Sequence, residues 1–308
     1  MHITTEAEWG EQREALLEGA IEFARVMERR PFQNEAGLRG VSAFALYWFV
    51  KQLQPDVVFE VGVWRGFSTW LIEQAAPAAE VWSFDPIFFF GGEPQPVYRS
   101  PRARYFREDF SCADIAGDVA AATTPLAFFD DHHRQLARLE QCRRVGIEHV
   151  IFDDNPPHPY GHRTLEDERA DAVGREALAE MAERYEVFPA LWAVDDVTEY
   201  RIREAGLGFP VTPDLAYLHA ERKWHSYVTY VKASPSAEAA RRPAVAVANG
   251  GLNPVPMVPT DPVAPASADG ALVEQIRRLA SASSAAISAL DCRIASLEGG
   301  IAALAKSA

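Results

Sequence analysis

The segment that decides the fold of this 308-residue chain is Phe59-Glu60-Val61-Gly62-Val63-Trp64-Arg65-Gly66-Phe67-Ser68-Thr69. It begins as a strand rich in Val and Phe, turns at two glycines, and should continue as a helix over 68–74. Glycine lets the backbone approach a ligand closely, and a helix N-terminus offers free N–H groups to a carboxylate or phosphate. This succession of strand, glycine turn and helix predicts a ligand site in an α/β protein.

Short apolar runs rich in β-formers alternate with helical segments on both sides of this turn. Strands are predicted at 57–61, 81–84, 104–106, 126–129 and 149–152, with a sixth near 185–194 and a seventh near 225–232. Helices are predicted over 6–29, 41–53, 134–144 and 165–184. The alternation predicts the α/β class with a doubly wound, mostly parallel, seven-stranded Rossmann-like sheet.

The composition narrows the class of function. The chain has 44 acidic and 30 basic residues and a formal net charge of −14, which argues against nucleic-acid or anionic-lipid partners and favours a small or neutral substrate. Its three cysteines lie far apart and show neither a disulfide framework nor zinc-ligand spacing. No leader pattern and no long apolar run is evident, so we expect a cytoplasmic protein without a membrane partner.

The composition changes near residue 234, where we place the end of a domain that spans 1–234. Residues 235–270 are rich in Pro and Ala, which predicts an extended linker. Residues 271–308 repeat apolar positions at spacings of three and four, and Ile and Leu occupy the a and d positions of the last three heptads. This pattern predicts a coiled-coil helix that forms a homo-oligomer; the alternative is one amphipathic helix that docks on its own domain.

Two further acids follow the strands that come after the glycine turn in the sequence. Asp85 closes the second predicted strand and Asp109 follows the third. Each acid alone is explained equally well as a cap of the next helix. Three residues separate Gly62 from Gly66, which departs from the dinucleotide fingerprint and leaves little room for a pyrophosphate. An amino-acid carboxylate is the easier ligand.

Over 41–232 the chain resembles class I S-adenosylmethionine-dependent methyltransferases, in which an acid-x-Gly-x-x-x-Gly turn follows the first strand and an acid ends the second. The resemblance implies that Glu60 anchors the methionine end of S-adenosylmethionine, Asp85 the ribose hydroxyls and Asp109 the adenine. The cofactor-binding residues predicted on this basis are Glu60, Gly62, Gly66, Ser68, Asp85 and Asp109.

Carboxylates and histidines follow the next two strands. Phe128-Phe129-Asp130-Asp131-His132-His133 ends the fourth strand and Ile151-Phe152-Asp153-Asp154-Asn155 ends the fifth. Neighbouring parallel strands would bring both clusters to one edge of the sheet. Carboxylates repel one another, and a hard divalent cation that takes oxygen ligands relieves this repulsion. We therefore predict a Mg²⁺ site.

These clusters resemble those of metal-dependent O-methyltransferases that act on macrolide sugars and of the related cephalosporin-hydroxylase-like group. The resemblance implies that Asp130, Asp153 and Asp154 are the metal ligands and that His133 occupies the histidine position. Asn155 is a further candidate ligand, because an Asp-Asn pair binds metal in catechol O-methyltransferases. The chain departs from the pattern at Asp131, where glycine is usual, at His132, which replaces the second acid, and before the fifth strand, where the usual Gly-Gly turn is absent.

Methyl transfer from a sulfonium is an in-line displacement, so the protein must position the acceptor oxygen and remove a proton. We predict His133 as the base, with Asp130 as its catalytic partner; such a base contributes about 10² to 10⁴ in rate. The alternative is that His132 and His133 are polar loop residues without a role, and the loop residues His158 and His162 are not predicted to be catalytic. We expect the acceptor to be a hydroxyl group, and hydroxyls of a sugar, a catechol or a polyketide all suit this chemistry.

Two rival functions remain open. Asp-Asp pairs at strand ends with a divalent ion also suit a nucleotide-sugar glycosyltransferase, in which the metal holds a diphosphate. The second rival is a catalytically inactive methyltransferase-like protein that oligomerises through its tail.

Overall fold

The computed structural model describes residues 1–34, 37–86, 98–156, 162–193, 206–222 and 227–236. Residues 237–308 lie outside this part, so the predicted linker beyond its first two residues and the predicted coiled coil remain predictions. His158 also lies outside the described residues. None of the described helices is long and apolar enough to span a bilayer.

The described chain forms one mixed sheet that is mostly parallel. Its strands are β1 (His2–Ile3), β2 (Val57–Val61), β3 (Glu80–Phe84), β4 (Arg104–Phe106), β5 (Pro125–Phe129), β6 (His149–Phe152), β7 (Ala182–Val187) and β8 (Thr229–Ala233). They lie in the order β1-β7-β8-β6-β5-β2-β3-β4, and β8 runs antiparallel to both of its neighbours. The other strand pairs are parallel.

The predicted count of seven strands was wrong by one, because the sheet of the described chain has eight. The additional strand is β1, which pairs with β7 at the edge of the sheet. Two residues are too short to show an alternating pattern, so periodicity could not reveal this strand. The sixth predicted strand begins three residues earlier than expected, at Ala182.

The helices are α1 (Glu6–Glu11), α2 (Arg13–Glu28), α3 (Gly40–Leu53), α4 (Phe67–Ala75), α5 (Ala116–Ala121), α6 (Gln135–Val145), α7 (Leu165–Ala170), α8 (Ala172–Met181) and α9 (Ala216–Ala220). Two predicted helices are divided. The helix predicted over 6–29 breaks at Gln12, and the one predicted over 165–184 breaks at Asp171. Asp171 is extended and its side chain accepts the N–H of Gly174 at 2.8 Å, so it caps a new helix instead of continuing the old one.

Two apolar clusters cover the two faces of the sheet. One contains α3, whose residues from Gly40 to Val50 are all buried. Phe44 and Phe188 pack there edge to face, with ring centroids 5.5 Å apart. A fully buried phenylalanine contributes about 1.5–3 kcal/mol, so these layers hold the strands rigidly beneath the site.

In four adjacent strands the backbone hydrogen bonds of the sheet continue for one residue beyond the carboxyl end of the strand. Gly62 donates to the carbonyl of Phe84 and Asp85 to that of Phe106, each at 3.0 Å. Asp130 donates to the carbonyl of Val61 and Asp153 to that of Phe129, each at 2.9 Å.

We call this row the rim; in spatial order it comprises Asp153, Asp130, Gly62 and Asp85. The strand order reverses between β2 and β5, which is where doubly wound sheets bind ligands. The prediction that both acidic clusters reach one edge of the sheet is confirmed.

Candidate active site

The glycine turn after β2 is built so closely that only glycine fits. Gly62 has φ of 92° and Gly66 has φ of 83°, in the left-handed region that side chains disfavour. A Cβ on Gly62 would lie 2.4 Å from the carbonyl oxygen of Asp130, and one on Gly66 would lie 2.1 Å from that of Tyr98. Close packing against these two backbone carbonyls therefore requires glycine at both positions.

Asp85 holds this turn in place. Its carboxylate accepts the N–H of Val63 at 3.1 Å, and the residue is buried. The predicted contact with ribose hydroxyls therefore remains a prediction at a position next to the glycine turn.

Glu60 is the most deeply buried acid of the site, with no exposed surface. Its Oε2 accepts from the hydroxyls of Thr69 at 2.7 Å and Ser83 at 2.6 Å, whereas its Oε1 is buried without a hydrogen-bond partner. Burial raises the pKa of Glu60 to about 7, although the surrounding hydroxyls, including that of Ser68, act to lower it. An unpaired buried carboxylate oxygen costs about 1–3 kcal/mol and marks a place where a cationic donor would be stabilised.

Helix α4 begins beside this carboxylate. Gly66 is its N-cap and provides no side chain to accept the first N–H groups. The positive end of the helix and the unpaired oxygen of Glu60 thus offer complementary partners to the two charges of an amino acid. The methionine end of S-adenosylmethionine carries both charges, so the residues fit this cofactor.

Asp109 lies in an ion pair. Its two oxygens accept from Arg138 at 3.0 and 2.6 Å, and Oδ1 also accepts the N–H of Ser111 at 2.8 Å. Burial raises the pKa of Asp109, but the hydrogen bonds from Arg138 and Ser111 outweigh it and hold the pKa below the ordinary range. The contact with Ser111 caps the turn at Phe110–Cys112, so a capping role is observed and the adenine contact stays a prediction.

Sequence reasoning missed Arg138. The guanidinium, only 4% exposed, also pairs with Asp131 at 2.6 Å, so one cation bridges the loops after β4 and β5. A signal was available, because Arg138 falls on the same helical face as the buried residues Gln135 and Cys142.

The structure brings Asp130, His132 and Asp154 together. One ligand atom of each lies within 4.8 Å of the other two, and we call these three residues the rim group. His132 Nδ1 lies 3.5 Å from a carboxylate oxygen of Asp154. Burial and the charges of Asp154 and Asp131 raise the pKa of Asp130 well above its usual value. A cation would relieve this repulsion.

The other predicted metal and catalytic residues lie apart from the rim group. Asp153 is buried, and its backbone carbonyl accepts from Gln135 at 2.9 Å. His133 is exposed, and one of its ring nitrogens lies within 4.8 Å of carboxylate oxygens of Asp109 and Asp131. The roles of Asp153 and His133 remain predictions, because these positions neither exclude nor establish them.

Asn155, a further candidate ligand, is fully buried. Its amide donates to Tyr185 at 2.8 Å and to Thr229 at 2.7 Å, and its carbonyl accepts the N–H of Glu166 at 3.1 Å. These bonds tie the end of β6 to α7 and to two further strands. Asn155 therefore anchors the loop that carries Asp154.

A second histidine stands beside the rim group. The ring of His162 is centred 5.7 Å from that of His132, and its Nδ1 is buried without a hydrogen-bond partner. Burial, together with His132, lowers the pKa of His162, which favours the neutral imidazole that binds metals.

The backbone of the rim group is unusual. His132 has φ of 54° and Asp154 has φ of 46°, so two residues that are not glycine adopt the left-handed conformation. Each costs about 1–3 kcal/mol, and such strain is concentrated at functional sites.

No protein-family model matches the sequence. No curated protein matches it either. Among solved structures, the chain is similar to an apo form of CmcI, with 13% identity over 48% of this chain and 65% of that chain and a TM-score of 0.36. The match therefore spans slightly less than two thirds of that protein's length.

The chain is also similar to a Mg-SAM form of CmcI, with 14% identity over 61% of this chain and 69% of that chain and a TM-score of 0.34. A third similar structure is the O-methyltransferase TomG from Streptomyces achromogenes in complex with SAM, with 14% identity over 53% of this chain and 74% of that chain and a TM-score of 0.31.

Proposed function

We propose that this protein transfers the methyl group of S-adenosylmethionine to a hydroxyl group of a sugar or another natural product, beside a divalent cation at the rim. The observation that supports this most is the contact between the glycine turn and the rim group. Gly62 lacks a Cβ where one would meet the carbonyl of Asp130 at 2.4 Å. A methyl donor bound at the glycine turn would therefore lie next to the oxygen of a substrate bound at Asp130.

The cofactor end uses charges that the chain already presents. The unpaired Oε1 of Glu60 would accept from the ammonium of the methionine moiety, and the uncapped N-terminus of α4 would bind its carboxylate. Asp85 and Asp109 are proposed for the ribose and the adenine. S-adenosylmethionine supplies the activated methyl group.

At the acceptor end, the chain must fix an oxygen in line with the methyl group and remove its proton. Asp130 and Asp154 are proposed to hold a divalent cation, which would make the acceptor hydroxyl easier to deprotonate. Mg²⁺ is the ion that the sequence predicts, because the metal ligands predicted from it are all carboxylates. His133 is the proposed base, and its exposure leaves it open to solvent, to which it would pass the proton.

Thermal unfolding of the full-length chain tests this proposal. S-adenosylmethionine, S-adenosylhomocysteine and UDP-sugars are compared, each with and without a divalent cation. A ligand at 100 times its Kd stabilises by about 2.7 kcal/mol, which raises Tm by roughly 5–10 °C for a domain of this size.

We expect stabilisation by both adenosyl ligands and none by UDP-sugars. Stabilisation by UDP-sugars with metal alone would support the glycosyltransferase, and no response to any ligand would support the inactive oligomerising protein. Transfer of a labelled methyl group to sugar, catechol and polyketide hydroxyls then identifies the acceptor class.

A further inference from the structure

We propose that the cation at the rim is a later first-row transition ion such as Fe²⁺, Co²⁺ or Ni²⁺ instead of Mg²⁺, and that Asp130, His132 and Asp154 bind it. This inference deepens the proposed function and rests on it for the location of the ion. It concerns the residue that departs from the resemblance, because His132 replaces an acid.

The geometry of the rim group is close to that of a bound ion. Two ligands at about 2.1 Å from a common ion lie roughly 3.0 Å apart in octahedral and 3.4 Å apart in tetrahedral coordination. His132 Nδ1 and the Asp154 oxygen are 3.5 Å apart. The Asp130 ligand atom lies within 4.8 Å of both, so the three ligand atoms are close enough together to hold one ion.

The donor atoms decide between ions. Mg²⁺ requires oxygen ligands in a near-ideal octahedron, whereas imidazole nitrogen suits ions such as Fe²⁺, Ni²⁺ and Zn²⁺. The rim group supplies one nitrogen and two carboxylates, and the third predicted carboxylate, Asp153, is not a member. Replacing a carboxylate by a neutral imidazole also removes one negative charge, which weakens the attraction of a hard ion.

His162 extends the same preference. Its buried Nδ1 has no hydrogen-bond partner, although nearly all buried polar atoms have one. The ring of His162 is centred 5.7 Å from that of His132, so a second imidazole stands beside the rim group.

The second cluster of candidate ligands, formed by Asp109, Asp131 and His133, does not compete. Arg138 pairs with both of its carboxylates at 2.6 Å, so a positive charge already occupies the place that a cation would need. Asp130 and Asp154 have no such arginine or lysine partner within the part of the chain that the structure describes. The rim group is therefore the cluster that attracts a cation.

Isothermal titration of the full-length, metal-stripped chain tests the inference. Mg²⁺, Mn²⁺ and Co²⁺ are titrated separately, and the visible absorption of Co²⁺ reports nitrogen ligation. Late transition ions bind most sites more tightly than Mg²⁺, so the deciding quantity is how the Co²⁺-to-Mg²⁺ affinity ratio changes in a variant. The variants are His132→Asp, which restores a carboxylate, and His133→Ala, which removes the adjacent exposed histidine.

We expect one Co²⁺ per chain and a fall in the affinity ratio of roughly 10- to 100-fold in His132→Asp, the range by which groups around a metal alter its affinity. His133→Ala should leave the ratio and the Co²⁺ spectrum unchanged. Should His132→Asp fail to fold, His132→Gln replaces it, and Co²⁺ affinity must fall there as well.

The inference is overturned if Mg²⁺ binds as tightly as Co²⁺ or if the ratio is the same in His132→Asp and the wild type. No metal binding at all would show that His132 and Asp154 form only an ion pair. Binding of S-adenosylhomocysteine to the metal-free chain is measured in parallel. If S-adenosylhomocysteine binds but the Co²⁺-to-Mg²⁺ affinity ratio does not fall in His132→Asp, the inference alone fails. If S-adenosylhomocysteine does not bind but the ratio falls as expected, the proposed function fails.

Discussion

Replacing Glu60 by glutamine should stabilise the free protein and weaken its binding of S-adenosylhomocysteine. The carboxylate is fully buried, and only its Oε2 has hydrogen-bond partners. Glutamine has the same shape and never ionises, so it removes the cost of burying a charge. It also removes the anion that we propose for the ammonium of the ligand.

The magnitude follows from the pKa of Glu60, which burial raises from 4.5 to about 7. Because the folded protein favours the neutral form, the stability that this carboxyl contributes is complete below pH 4.5 and is lost as the pH rises through 7. The full loss is about 3 kcal/mol at pH 8, and roughly 1 kcal/mol of it has already occurred at pH 5.5. The advantage of the glutamine variant should therefore grow by about 2 kcal/mol between these two pH values.

Urea unfolding followed by tryptophan fluorescence measures this difference at pH 5.5 and 8, with Glu180→Gln as an exposed control that should change stability by less than about 0.5 kcal/mol. The loss of a charged hydrogen bond should reduce the affinity for S-adenosylhomocysteine by about 1.5–3 kcal/mol. An advantage that does not vary with pH would refute the argument from burial. Unchanged ligand affinity would refute the role of Glu60 at the cofactor.

Three further predictions concern the rim, its bridging arginine and the tail. Asp130→Asn and Asp154→Asn should each abolish metal-stimulated methyl transfer but leave S-adenosylhomocysteine affinity nearly unchanged in calorimetry; an equal loss of that affinity would contradict their acceptor-side assignment. Arg138→Met leaves two carboxylates without their guanidinium and should destabilise by about 3 kcal/mol in urea unfolding, and a loss below about 1 kcal/mol would argue against the bridge. Deletion of 271–308 should lower the number of chains per particle, measured by light scattering, without changing the unfolding transition. An unchanged number of chains would reject the coiled coil.

Most strands were predictable because parallel strands are buried on both faces. The strands at 57–61 and 149–152 are near-continuous apolar runs bounded by polar residues, and the structure places β2 and β6 at these positions. The strand β1 was not predictable, because only two residues pair with β7 and their side chains are exposed. The breaks at Gln12 and Asp171 depend on caps whose residues also occur inside helices.

The sequence predicts where the site lies but not which of its side chains contact one another. A strand end is visible in sequence, so Glu60, Asp130 and Asp154 could be assigned to the rim region. The pairings depend on backbone conformation. His132 and Asp154 are left-handed, which a segment without glycine does not predict. Asn155 is turned inward by three hydrogen bonds, which sequence spacing cannot show.

The charges at the rim explain why a cation belongs there. The carboxylates that follow β4, β5 and β6 at this edge include Asp109, Asp130, Asp131 and Asp154. Arg138 neutralises two of them, and since Asp131 lies between Asp130 and His132, it also fixes the loop that carries the rim group.

Burial and the charge of Asp154 raise the pKa of Asp130, and His132 Nδ1 lies 3.5 Å from a carboxylate oxygen of Asp154. A divalent ion would replace this repulsion by attraction, and it would act on a loop that Arg138 already holds rigid. Metal binding should therefore stabilise the fold and leave the position of the glycine turn unchanged, because the atoms of Asp130 nearest to a Cβ on Gly62 would be backbone atoms.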